Sequence, residues 1–292
     1  MRKPMPDADW SQAAMAREPF VALVRDQGRQ HYRSLPWRHI DDPYAVLVSE
    51  IMLQQTQVAR VERFWRRFLG ALPTLDALAA ASTADVLELW QGLGYNRRAL
   101  ALKRTADECA ARYGGQLPES YDELVALPGI GPATAAGVRA FALNQPGVYL
   151  ETNVRAVLIH CLFPEADGVR DRQLEPFAAD TCPTSDPRDW YYAMLDFGAH
   201  LKATHPNPTR KSAHYARQSA FEGSRRQKRS WVVRRVLAEP EGIAPAKVLA
   251  ELSATEQGAG RPAVDGALFE SIVDDLVAEG FFRRAADGAL VA

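Results

Sequence analysis

A chain of 292 residues, 47% hydrophobic and 24% charged with a formal charge of −1, reads as a globular protein of about two domains. Collagen-like, disordered and membrane-spanning classes are excluded, because nowhere do about 18 uncharged apolar residues run together. A basic start meets Asp7 and Asp9 before any apolar stretch forms, so no secretory signal is expected and the predicted location is the cytoplasm.

From Pro43 to about Leu143 apolar residues recur at helical spacing, without alternating strand patterns. Val46, Leu47, Ile51 and Leu53 open one predicted helix. Val58, Val61, Phe64, Trp65 and Phe68 mark the inner face of the next, with Thr56 as its expected N-cap. Ser82 followed by Asp85 predicts a capped start before Val86 and Leu89. A helix after Tyr95 runs to Tyr113 and stops at Gly114 and Gly115. Ser120 and Glu123 form a second capping-box pattern. Thr152 or Asn153 is expected to cap a helix carrying Val154, Val157, Leu158 and Leu162, and another helix spans about Trp190 to Leu201. Cys109, Cys161 and Cys182 are scattered and odd in number. Each reads as a core filler, and neither a disulfide framework nor a metal site is expected.

The tail differs. A polar, basic run predicts a linker over 223–230. Helices are expected at Ser230–Ala238, Pro245–Leu252 and Asp265–Glu279, then a hairpin over Phe281–Val291 around Asp287 and Gly288. Three helices and a hairpin are the order of a winged helix-turn-helix domain, placed here at 231–292. Its third helix carries Glu270, Asp274, Asp275 and Glu279 and no basic residue. It is therefore expected to pack inward through Leu268, Ile272 and Leu276 and not to enter a DNA groove. Between Lys202 and Arg235 the cations are interrupted by a single acid, Glu222. Such a block is a solvated face or linker, and becomes a phosphate-binding stripe where other features point to nucleic acid.

One such feature is Leu127-Pro128-Gly129-Ile130-Gly131-Pro132-Ala133-Thr134 between two predicted helices. Two glycines around an apolar residue allow a tight turn with amides bared at the start of the second helix, a geometry that binds phosphate. Taken alone it is more often a plain helix–helix turn.

The octapeptide resembles the helix-hairpin-helix of base-excision DNA glycosylases, whose loop is followed by a catalytic acid; Glu151 lies near that distance. The block Leu47–Val58, preceded by Pro36-Trp37-Arg38, resembles the signature of the MutY-type A/G-specific adenine glycosylases. Trp90–Tyr95 and Met194–Ala199 resemble two further segments of that family in the same order, so that the likeness covers about 30–200. It implies an all-α, two-subdomain HhH-GPD DNA glycosylase fold over 1–222. One six-helix-type subdomain with the hairpin would occupy 41–148, the second 1–40 and 149–222, and the small winged-helix-like domain would follow.

The resemblance also assigns roles. Glu50 would be the general acid. Its place in an apolar helix fits, because desolvation raises a carboxyl pKa; the lesser alternative is an exposed helical glutamate. Glu151, with Asn153, would complete the catalytic set. Arg38, Gln54, Gln55, Tyr95 and Tyr192 would contact substrate or DNA, and Gly129, Gly131 and Ala133 would hold the backbone by their amides. Gln54, Gln55 and Tyr95 suit filling the gap in the stack and bonding the opposite base.

Four departures qualify the likeness. Glu151 stands where the family places aspartate, adding a methylene at a site where ~1 Å matters. Ala133 stands where bifunctional relatives place a Schiff-base lysine, so no β-lyase activity is expected. Leu201–Ser212 contains no cysteine where relatives carry four, so no thiolate-ligated iron–sulfur cluster is expected and the loop's prolines and basic residues would hold it and touch phosphate. The hairpin leaves room for a monovalent cation. The short tail replaces the Nudix-like domain, and Tyr192 replaces the family's Gln or Glu beside the adenine pocket.

The expected function is a monomeric, monofunctional DNA glycosylase, nucleoid-associated when on DNA, hydrolysing adenine from a mispair with 8-oxoguanine or guanine in double-stranded DNA. The alternatives are a glycosylase for hypoxanthine or another lesion, and a catalytically weak protein that binds damaged DNA.

Overall fold

A computed structural model of the chain describes residues 5–216 and 220–292. Its helices, in chain order, are α1 (Arg17–Gln30), α2 (Pro43–Leu53), α3 (Val58–Ala71), α4 (Leu75–Ala80), α5 (Thr83–Trp90), α6 (Arg97–Arg112), α7 (Tyr121–Ala126), α8 (Pro132–Phe141), α9 (Thr152–Leu162), α10 (Asp171–Thr181), α11 (Pro187–Thr204), α12 (Arg225–Leu237), α13 (Pro245–Gly258) and α14 (Gly266–Glu279). Strands β1 (Arg283–Arg284) and β2 (Leu290–Val291) pair antiparallel behind them.

Local chemistry explains several boundaries. The Asp42 carboxylate accepts from the amides of Tyr44 (2.9 Å) and Ala45 (3.2 Å), which with Pro43 in the first turn starts α2. Ser82 and Asp85 form the expected reciprocal capping box on α5. Other expected caps are corrected. Ser120 precedes α7 without a side-chain cap bond. The Thr56 hydroxyl donates to the Gln54 carbonyl at 3.3 Å, and Gln57 occupies the N-cap of α3. Neither Thr152 nor Asn153 caps α9: Glu151 does.

The chain forms two compact units, one from 1–51 and 117–217, the other from 52–116 and 218–292. The tail from 220 shares a unit with α3 to α6. In the first unit α9 packs on α11, and α11 on α1. Close approach is possible because Gly198 of α11 has no Cβ; one built there would stand 2.3 Å from the Asn153 carbonyl oxygen.

The loop after α11 is built without thiolate. The Asn207 side chain accepts from the Thr209 amide (3.1 Å) and hydroxyl (2.7 Å), and Pro208 and Thr209 are buried. Backbone bonds from Val169 to Lys211 and from Ala213 to Val169, each 2.8 Å, stitch the loop to the segment before α10. The Lys211 ammonium donates to the Pro164 carbonyl.

In the second unit the residues expected as linker begin α12, with the Ser224 hydroxyl capping it. An ion ladder explains how so basic a segment becomes helix: Arg225 pairs with Asp275 (2.7 Å), and Arg229 with Asp275 (3.2 Å) and Glu279 (2.7 Å). Arg97 of α6 also holds Glu279, at 2.6 Å. On the flank of α14, Glu270 and Asp274 pair with Arg284 of β1. Its inward face is Phe269, Ile272, Val273 and Leu276, while Leu268 is half-buried.

Candidate active site

The first unit gathers two carboxyl groups around the loop before α9. Glu50, near the end of α2, has apolar buried neighbours in Leu47, Ile51 and Met52. The Tyr149 hydroxyl donates to its Oε2 at 3.0 Å. Room for the carboxyl comes from Gly137 of α8, where a Cβ would lie 2.4 Å from the same oxygen. Burial pushes the Glu50 carboxyl up to about 8; the Tyr149 bond opposes that rise and the Glu151 carboxylate adds to it. Glu50 is therefore protonated at neutral pH, the state a general acid requires.

Glu151 is anchored by helix geometry. Its Oε1 accepts from the amides of Asn153 (2.6 Å) and Val154 (3.2 Å), so the carboxylate sits on the positive end of α9. Beside it the buried Asn153 Oδ1 has no hydrogen-bond partner among the described residues, a feature that marks an acceptor left for something outside the chain. Lys202 of α11 feels the Glu151 charge, yet burial holds its ammonium below the ordinary lysine range.

The hairpin lies in the same unit. Leu127 and Ile130 are buried while Gly129, at φ +75°, turns the chain in the left-handed region. Gly131 is the N-cap of α8 and Pro132 its first residue, so the Ala133 amide belongs to the opening turn. A Cβ on Gly131 would meet nothing within 4 Å, which makes its surroundings open.

Two of the residues expected to contact substrate or DNA are engaged inside the unit. Arg38 is not available to DNA. Its guanidinium is buried and bidentate to Asp196, at 2.7 Å on each arm, and lies 4.5 Å above the Tyr192 ring. Tyr192 is itself buried, stacked on Phe141 at 4.9 Å, and its hydroxyl accepts from the His39 amide. A long-range ion pair and an aromatic stack thus use the two residues to hold α11 in the unit.

Gln54, Gln55 and Tyr95 belong to the second unit. Gln55 (φ +55°) and Tyr95 (φ +51°) are both left-handed, which costs energy for non-glycine residues and is concentrated at functional sites. Arg98 holds their turns together: Nη1 donates to the Met52 carbonyl (2.8 Å), and Nη2 to the Thr56 hydroxyl (3.1 Å) and the Gly94 carbonyl (2.9 Å). All three expected residues line one cavity of about 1070 Å³. Its lining also includes Phe221 and Arg226 of the tail, and Arg226 donates to the Tyr95 hydroxyl at 2.8 Å.

Tyr149, Gly137 and Arg98 are the residues that sequence reasoning passed over. Tyr149 follows Gly147 and Val148 in an unpatterned stretch, and nothing in the sequence points it at Glu50. Arg98 had a weak signal, the second of two adjacent arginines just after the matched segment that ends at Tyr95.

Residues 48–178 match the model of the HhH-GPD superfamily base excision DNA repair proteins. The adenine DNA glycosylase of Mycolicibacterium smegmatis is 40% identical over 169 residues, 57% of this chain and 58% of that protein. The adenine DNA glycosylase of Mycobacterium tuberculosis is 43% identical over 141 residues, 48% and 46% of the two chains. The chain thus spans about half the length of these relatives. A solved thermostable thymine-DNA glycosylase superposes over 65% of this chain and 90% of its own with a TM-score of 0.58 at 24% identity, a likeness of fold.

Proposed function

We propose, from the match of residues 48–178 to the HhH-GPD superfamily of base excision DNA repair proteins, that the protein is a monofunctional DNA glycosylase removing adenine mispaired with 8-oxoguanine or guanine. The observation that carries the reading is the half-buried Glu50, whose desolvated carboxyl is pushed up to about 8, in one unit with the helix-capping carboxylate of Glu151. In this scheme a flipped purine accepts the Glu50 proton on a ring nitrogen. The N-glycosidic bond then breaks, its electron pair leaving with the neutral base. Glu151 stabilises the oxocarbenium ion, and water adds to C1′ with loss of a proton. Asn153, through its unpartnered Oδ1, orients that water or the sugar. Ala133 supplies no amine, so the product is an abasic site and the strand stays intact.

The partner in this reading is double-stranded DNA bearing a mispair, bound by a monomer in the cytoplasm. Among the described residues no helix is long and apolar enough to cross a membrane. Gln54, Gln55 and Tyr95 meet the base opposite the extruded one. The test is a panel of duplexes with single adenine, hypoxanthine or damaged bases: release of free adenine supports the reading, release of another base alone changes the substrate, and binding with no release of any base removes the enzyme.

Phosphate contacts fall to the hairpin. Replacing Gly129 by valine forces a β-branched residue to φ +75° and distorts the amides of Gly131 and Ala133. Affinity for all duplexes is expected to fall alike, because phosphate contacts carry no sequence information; gel-shift titrations on matched and mispaired duplexes check this. A monovalent cation on the loop carbonyls would act with those amides.

The 201–212 loop, with His205 and no cysteine, does not fit a thiolate-ligated cluster, and no step is routed through one. Purified protein is expected to be colourless, and iron analysis at about one cluster per chain would overturn that.

A further inference from the structure

We propose that Tyr149 is a positioning residue that fixes which oxygen of Glu50 delivers the proton. Its hydroxyl donates to Oε2, so that the transferable hydrogen resides on Oε1. The proposal rests on Glu50 acting as the acid, and it adds a residue that neither the hairpin nor the matched motifs supply.

The geometry is closed around Oε2. On one side stands the Tyr149 hydroxyl at 3.0 Å, on the other the bare Cα of Gly137, where even a methyl group would lie 2.4 Å from the oxygen and 2.9 Å from the Tyr149 ring. Tyr149 cannot turn away. It is buried, its ring meets Phe141 and Tyr191 edge-on at 5.1 and 5.3 Å, and its amide donates to the Tyr191 hydroxyl at 3.1 Å. Tyr191 in turn donates to the Gly147 carbonyl, which fixes the strand of chain on which Tyr149 sits.

A neutral carboxyl has one carbonyl oxygen and one hydroxyl oxygen. Among the described residues the Tyr149 hydroxyl hydrogen has one acceptor, Oε2, and leaving a buried donor unbonded is costly. Oε2 is therefore the carbonyl oxygen and the hydrogen belongs to Oε1. When that hydrogen moves to the base, Oε2 becomes part of a carboxylate and the Tyr149 bond becomes charge-assisted, hence stronger. A bond that strengthens as the proton leaves lowers the barrier more than it stabilises the resting acid. Burial, the Glu50 and Glu151 charges and this bond all hold the phenol well above its ordinary range, so it remains a donor and never competes for the proton. The titratable groups facing Glu50 are Tyr149, Glu151 at the N-cap of α9 and Tyr192 of α11; of these, only Tyr149 bonds it directly.

The test is the Tyr149→Phe variant, which keeps the ring and removes the donor. Glu50 is followed by carbon-13 NMR of labelled glutamate carboxyls, its resonance identified by its loss in Glu50→Gln. Titration needs no turnover. The Glu50 midpoint is expected to rise by about one pH unit, the size of one lost charge-assisted bond. The alkaline limb of single-turnover base release should move up with it, and the plateau fall roughly ten-fold. An unmoved midpoint overturns the proposal, as does a falling one, which would mean that the site has opened to water. If wild-type protein releases no base yet the midpoint rises in Tyr149→Phe, the glycosylase reading fails and the Tyr149–Glu50 pairing stands. Gly137→Ala supplies the second arm: its methyl should displace Oε2 with Tyr149 intact, so that adding Tyr149→Phe to Gly137→Ala moves the midpoint no further.

Discussion

Glu50→Gln is expected to lower single-turnover base release by roughly 10²–10⁴-fold, the range that general acid catalysis spans, with duplex affinity within a few fold of wild type. Glutamine preserves shape and an acceptor for Tyr149 but carries no transferable proton. Stability supplies an independent check. Burial raises the folded-state pKa of Glu50 from 4.5 to about 8, so its folding contribution is fully present below pH 4.5 and is lost as pH rises through about 8. Glutamine does not ionise. The variant should therefore gain thermal stability relative to wild type as pH climbs across that window and should match it at pH 4. Retained excision would remove Glu50 as the acid; a stability difference independent of pH would show that the carboxyl is not buried as described.

What could be read from the sequence was local. The Ser82–Asp85 box works because all its atoms lie within four residues. Ser120 and Thr56 have the same residue signals but different outcomes. The Thr56 hydroxyl donates to the Gln54 carbonyl and accepts from Arg98. The basic run at 223–230 reads as a linker because its acids, Asp275 and Glu279, are about fifty residues away on α14. With them in place, α12 begins at Arg225.

Site residues divide in the same way. The apolar surroundings of Glu50 were legible because an acid in an apolar helical block stands out: Leu47, Ile51 and Met52 are buried, and desolvation raises its carboxyl. Arg38 was misread for the opposite reason: a basic residue near a recognised motif suggests DNA, while its partner Asp196 lies 158 positions away and captures both arms. Tyr192 was read by correspondence alone; it is buried and stacked on Phe141, and it also feels the Glu50 charge. Tyr149 carried no signal at all, since a tyrosine in a short extended segment has no periodicity to betray which way it faces.

Glu151 yields the second large effect, and its two jobs can be separated. As N-cap it accepts the Asn153 and Val154 amides through Oε1; as a carboxylate it supplies the negative charge that the proposed oxocarbenium ion requires. Glu151→Gln keeps an acceptor oxygen for the amides and loses the charge. It is expected to melt close to wild type while base release falls on the order of 10²–10³-fold, as loss of a preorganised electrostatic group does. Glu151→Ala loses both, and should add a stability loss of about 1 kcal/mol, the usual cost of removing a cap, to the same fall in rate. Glu151→Asp keeps charge and cap chemistry while withdrawing the carboxylate by one methylene. Aspartate caps helices well, so stability should hold. The rate then reports whether the sugar is positioned for the longer acid: a loss shows that the surrounding site, including Gly198 pressed against Asn153, is built for glutamate. A gain would show that the longer side chain was itself the constraint. Calorimetry and single-turnover rates on the three variants separate these outcomes. Equal rates for Gln, Ala and wild type would show that no charge is needed at this position and would remove Glu151 from the proposed mechanism.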